Sequence, residues 1–158
     1  MGQKVKKISE KERAWIVSHL EGVAIFVNAF SPPDADQPLN LASLDRAFRA
    51  WMATNETDAD LINKSINCVG VAFGQFLVDG IGMEWVIATD EQGTDLAVYG
   101  LPGTGDVLVY PANFVAKRWE RRETEFLERA YEQIDQQVAA AKENHSARGQ
   151  ANPWWKFW

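Results

Sequence analysis

Apolar residues first recur with a helical period just after the amino terminus. Ile16, Leu20, Val23, Val27 and Phe30 follow the spacing of a helix with one buried face, and Trp15, His19 and Phe26 widen that face. Ser9-Glu10-Lys11-Glu12 reads as a capping box at its start, and Ser31-Pro32-Pro33 forbids continuation past Phe30. After a polar, proline-rich loop from Pro32 to Pro38, Leu41, Leu44, Phe48 and Trp51 form the stripe of a second helix over about Leu41 to Thr54. A third helix begins after a cap at Thr57 or Asp58 and runs through Ile62 to Val78. It is apolar on nearly every side, which predicts a buried central helix. Gly70 and Gly74 lie four apart inside it, and each lowers helix stability by roughly 1 kcal/mol relative to Ala. Close approach of another backbone, from the sheet or the first helix, is the expected compensation.

Three short strands follow. Glu84 to Asp90 places Trp85, Ile87 and Thr89 on one face and Glu84, Val86, Ala88 and Asp90 on the other. Glu91-Gln92-Gly93 makes a hairpin loop to a strand over Thr94 to Tyr99, and Gly100 to Gly105 turns into a strand over Asp106 to Tyr110. Pro111 suits the first position of a last helix predicted to run to about Asn144. Leu127, Tyr131, Ile134, Val138 and Ala141 form its stripe. The expected architecture is α+β: N-terminal helices, a buried central helix, a three-stranded antiparallel meander and a long C-terminal helix. Residues 1–145 form one domain, and residues 146–158 a polar linker and a Trp-rich tail.

Composition narrows the function classes. A chain of 158 residues with 46% hydrophobic and 24% charged residues can bury a core without metals or disulfides. The net charge of -6 argues against nucleic-acid binding, which needs a basic face. Cys68 is the single cysteine, so there is no disulfide framework, and a lone thiol on an apolar helix reads as a small core residue of a cytoplasmic protein. No stretch reaches the roughly 20 apolar residues of a membrane span, and no signal-peptide pattern is visible.

The strands and the central helix carry a resemblance. Asn67 with Val69-Gly70-Val71-Ala72-Phe73-Gly74, then Trp85-Val86, Thr89-Asp90, Gly93-Thr94-Asp95-Leu96-Ala97, Tyr110-Pro111 and Val115-Ala116-Lys117-Arg118-Trp119 resemble a family of uncharacterised bacterial domains of unknown function. The resemblance covers roughly residues 40 to 130, a compact domain in size. It implies an α+β bacterial protein and brings no activity, cofactor or site residue with it.

Candidate chemistry is sparse. Glu84 and Asp90 share a strand face but lie about 20 Å apart, too far for a paired-carboxylate site. Asp95 is expected across the hairpin from Asp90 or Thr89, in a turn or salt-bridge role. Lys117, Arg118, Arg121 and Arg122 cluster early in the last helix. They give either an anion site near a helix N-terminus, or a structural set in which Arg118 pairs with Asp95 or Glu84. His19 and His145 lack the spacing of metal ligands, no nucleotide-binding glycine pattern occurs, and a buried Cys68 thiol makes a poor nucleophile.

Trp154, Trp155, Lys156, Phe157 and Trp158 place four aromatics in five residues. Exposed tryptophans are unfavourable in water and dominate binding hot spots. The tail therefore contacts a protein partner or a second copy of the chain, or folds back on its own domain; membrane contact is disfavoured because Lys156 alone gives little electrostatic attraction. Two functions stand: a non-enzymatic interaction or regulatory module using the tail, or a small anionic-ligand-binding domain or enzyme using the basic cluster and the strand carboxylates. Neither calls for a cofactor or metal.

Overall fold

The computed structural model describes residues 4–31, 39–102 and 106–148, the last five through their backbone. Its elements in chain order are β1 (Lys4–Lys7), α1 (Glu10–Phe30), α2 (Leu41–Met52), α3 (Ala59–Ile81), β2 (Glu84–Asp90), β3 (Gly93–Gly100), β4 (Val107–Val109), α4 (Pro111–Glu120) and α5 (Leu127–Arg148). The α+β class and the long C-terminal helix are as expected. The Pro32–Pro38 loop and the Gly103–Gly105 part of the second turn lie outside the described residues.

The helix boundaries follow from local chemistry. Ser9 and Glu12 form the expected capping box on α1, Asn40 and Ser43 form one on α2, and the Asp58 side chain caps α3. Gly82 ends α3 in the left-handed region at φ 87°, where a glycine meets no Cβ penalty.

The sheet has four strands rather than three, in the order β1-β2-β3-β4 with every pair antiparallel. The added strand, Lys4 to Lys7, has a single apolar residue and no alternation of its own. Its extended form comes from pairing along the free edge of β2, Lys4 opposite Thr89 and Lys7 opposite Val86. Its lysines also blunt that edge against pairing with other chains. Asp90 lies opposite Gly93, so the hairpin turns on Glu91 and Gln92 alone, and the Asp90 carboxylate accepts the Gln92 N–H at 2.8 Å.

The central helix is where the layers meet: α3 touches α1, α2, α4, α5, β2 and β3. Val69, Phe73 and Leu77 are fully buried on it, among Leu44 and Phe48 of α2, Phe114 and Val115 of α4, and Leu127 and Ile134 of α5. By length and composition α3 would also pass as a membrane span, contrary to the sequence expectation, but half of its most apolar window is buried inside this fold. The opposite face of the sheet carries a separate small cluster of Val86, Ala88, Ala97 and Leu108.

The last helical segment is broken. α4 stops at Glu120 and α5 starts at Leu127, and between them Arg122 (φ 57°) and Glu125 (φ 60°) adopt the left-handed region. No glycine or proline marks this break. It is held by Asp45, a buried carboxylate in the middle of α2 that accepts the Leu127 N–H at 2.9 Å and the Glu128 N–H at 3.1 Å. These are orphan donors of the first turn of α5.

Candidate cleft between α1, α3, the sheet and α4

Gly70 and Gly74 let neighbouring elements close onto α3. A Cβ on Gly70 would stand 2.8 Å from Cα of Ala112, so α4 begins directly against the α3 backbone. A Cβ on Gly74 would collide with the Trp85 indole and sit 3.0 Å from Cγ of Pro111. Backbone approach is therefore the reason for Gly70, but its partner is the start of α4 rather than the sheet or α1. For Gly74 the approaching group is an aromatic ring from the sheet. That ring is pinned: Trp85 donates Nε1–H to Gln75 at 2.9 Å, and Gln75 donates to Asp79 at 2.9 Å.

Above these glycines lies a cleft of about 260 Å³. Gly70, Val71 and Asn67 of α3 line one side, Trp85 and Leu96 of the sheet another, and Pro111 and Ala112 of α4 a third. Glu12 and Trp15 of α1 close it. Trp15, expected on the core face of α1, is instead 39% exposed. It lies against the His19 ring at a centroid distance of 3.9 Å, and His19 Nδ1 sits 2.8 Å from the Trp15 carbonyl oxygen. Asp95 also borders the cleft, but it pairs with Ala88 on the sheet face opposite to Leu96 and Trp85. Its carboxylate thus points away from the cleft, and it lies across from neither Asp90 nor Thr89. The Glu12 carboxylate is taken up by the Ser9 hydroxyl, and this bond holds its pKa below the usual carboxylate range. The cleft is accordingly a mainly apolar, aromatic-walled slot with an amide and one carboxylate at its edges.

The basic residues lie elsewhere. Lys117 and Arg118 occupy the last turn of α4, where a cation complements the carbonyl end of the helix rather than an amide end. Arg118 pairs with Glu123 at 2.9 Å and lies over the Phe114 ring at 4.8 Å, so its partner is neither Asp95 nor Glu84. Arg122 lies over Trp119 at 4.7 Å, and Arg121 is the exposed C-cap of α4. A second groove, between α2 and α5, mixes Arg46, Arg49 and Arg129 with Glu125, Glu128 and Glu132. Arg49 and Glu125 bridge it at 2.5 Å. Among the described residues no three His, Cys, Asp or Glu side chains converge as a metal site would require. Cys68 is buried, with Gly22 of α1 opposite it, and burial pushes its thiol pKa up. The tail residues Trp154, Trp155, Lys156, Phe157 and Trp158 lie outside the described residues.

Sequence reasoning gave Trp15, Asn67, Leu96 and Ala112 no site role. The signal that could have found the cleft was the family-like set itself. Asn67, Gly70, Val71, Trp85, Leu96 and Pro111 come from separate parts of the sequence and meet at this one place.

The family model of a domain of unknown function, DUF3806, matches residues 41–131, more than half of the chain. No curated protein and no solved structure matches it.

Proposed function

We propose, for a chain that belongs to the DUF3806 family, a role as a non-enzymatic interaction module whose cleft receives one aromatic side chain of a protein segment. The observation that carries this is the pairing of size and lining. At about 260 Å³ the cleft is below the roughly 300–1,000 Å³ of small-molecule sites, and its walls are Trp15 and Trp85. A slot for a single ring, with polar atoms only at the edge, is what a hot-spot anchor requires. Glu84 and Glu12 do not favour turnover: Glu84 is exposed at the start of β2 on the sheet face opposite to Trp85, and Glu12 has a lowered pKa where a general acid at neutral pH needs a raised one. The anion-binding alternative is weakened by the Arg118–Glu123 pair and by the place of Lys117 and Arg118 at the carbonyl end of α4. A cytoplasmic, bacterial setting belongs to the same proposal, as does contact through the Trp-rich tail.

The test is a heteronuclear NMR titration of N-acetyl-tryptophanamide into the full chain and into its W154A/W155A/F157A/W158A variant. Shift changes centred on Asn67, Gly70, Trp85 and Ala112 are expected in the variant. Changes that instead spread around Arg118 or are absent would overturn the proposal.

A further inference from the structure

We infer that the cleft's occupant is this chain's own segment Pro153–Trp158, docked in the same molecule so that an outside partner must displace it. The inference rests on the cleft being an aromatic-anchor site. Charge is the first support. Among the described residues the cleft's edge carries the Glu12 carboxylate and its lining holds no cation, while the segment sets Lys156 among four aromatic side chains and contains no acidic one. The second is the fit of one ring: the cleft is too small for an extended ligand, and the segment offers an indole or phenyl at each of four positions. Reach is the third. The chain continues from the end of α5 at Arg148 through residues 149–158. Such a length reaches at most about 33 Å from Arg148 when extended, a span on the scale of a domain of this size, whose radius of gyration is about 15 Å. Tethering then supplies an effective concentration on the order of millimolar, enough to populate a contact made by a single side chain. The aromatic tail and the aromatic slot thereby account for each other, and the tail acts as a competitor that raises the threshold for any partner.

The experiment uses the full chain labelled with 5-fluorotryptophan, with the tail resonances assigned by single Trp→Phe substitutions at 154, 155 and 158. A synthetic peptide of residues 151–158 is titrated in parallel into this chain and into its W154A/W155A/F157A/W158A variant. The expected result is that at least one tail resonance moves on Trp15→Ala and on Glu12→Gln, independently of protein concentration. The peptide is also expected to bind the tail variant at least tenfold more tightly than the unmodified chain. Glu12→Gln keeps a capping-box residue and so guards against misfolding. Tail resonances indifferent to both substitutions would overturn the inference, and concentration-dependent shifts would overturn it in favour of a second copy. Equal peptide affinity for the two chains would remove the docked tail but leave the cleft as a binding site. Absence of peptide binding to both would remove the cleft as well.

Discussion

The carboxylate of Asp45 in α2 accepts the backbone N–H of Leu127 at 2.9 Å, so a side chain 82 residues away caps the first turn of α5. It binds the Glu128 N–H as well, and it is one of the few buried charged groups among the described residues. This contact fixes where α5 starts and joins α2 to α5 beneath Phe126, which packs edge-on against Phe48 at 5.1 Å. Replacing Asp45 by Ala would leave amide donors buried and unpaired, a cost of about 2–3 kcal/mol. Chemical denaturation of Asp45→Ala against the unmodified chain measures it.

The same residue sets a pH dependence. Burial raises the Asp45 pKa, outweighing the N–H groups of Leu127, Glu128 and Phe126 that pull it down. The folded chain therefore keeps this proton to higher pH than the unfolded chain does. Stability from Asp45 is complete below the ordinary carboxyl value near 4 and is lost as pH rises through the raised one. The cost of Asp45→Asn should accordingly shrink between pH 3 and pH 7. A cost that grows over that range would mean that the hydrogen bonds, not burial, set the pKa.

Gly70→Ala sets helix propensity against packing. Propensity alone would stabilise α3 by about 1 kcal/mol. The added Cβ would stand 2.8 Å from the Ala112 backbone, which cannot move without shifting α4. Because the clash is with backbone, overpacking at the upper end of its usual range, about 2–3 kcal/mol, should win, giving a net loss of about 1–2 kcal/mol, and Leu at Gly70 or Gly74 should be worse. A melting temperature raised by Gly70→Ala would show that α4 does not abut α3 as described.

Cys68 should be silent toward thiol reagents in the folded chain. It is buried beside Gly22 with its thiol pKa raised, so both access and thiolate are lacking. Reaction with an aromatic disulfide reagent is expected only in denaturant. Rapid labelling under native conditions would place the thiol outside the α1–α3 contact.

Arg118→Ala should lower stability by about 1–2 kcal/mol, through loss of a half-exposed ion pair and a contact with the Phe114 ring. Thermal-shift responses to phosphate and nucleotides should be the same for both chains. A response present in the unmodified chain and abolished by Arg118→Ala would restore the anion-binding alternative.

Much of the fold was legible because each signal was local. The Ser9–Glu12 capping box, the apolar stripe of α3 and the alternation around Trp85 each specify an element within a few residues. What was missed depended on tertiary contact. Lys4 to Lys7 is a strand because β2 offers an edge, and the last helix breaks because Asp45 supplies a cap from α2. The left-handed Arg122 and Glu125 at that break carry no glycine signal. The cleft was hidden for a related reason. Trp15 shares the helical period of α1 with true core residues, and only the way α1 packs on α2 and α3 decides that its ring stands at the surface.

The most direct test of the cleft as an aromatic-anchor site is calorimetric. The peptide of residues 151–158 is titrated into the W154A/W155A/F157A/W158A chain and into the same chain carrying Trp15→Ala. Removal of one aromatic wall should weaken binding at least tenfold, about 1.4 kcal/mol, with the fold unchanged by circular dichroism. Affinities equal within error in the two chains would contradict the assignment of this cleft.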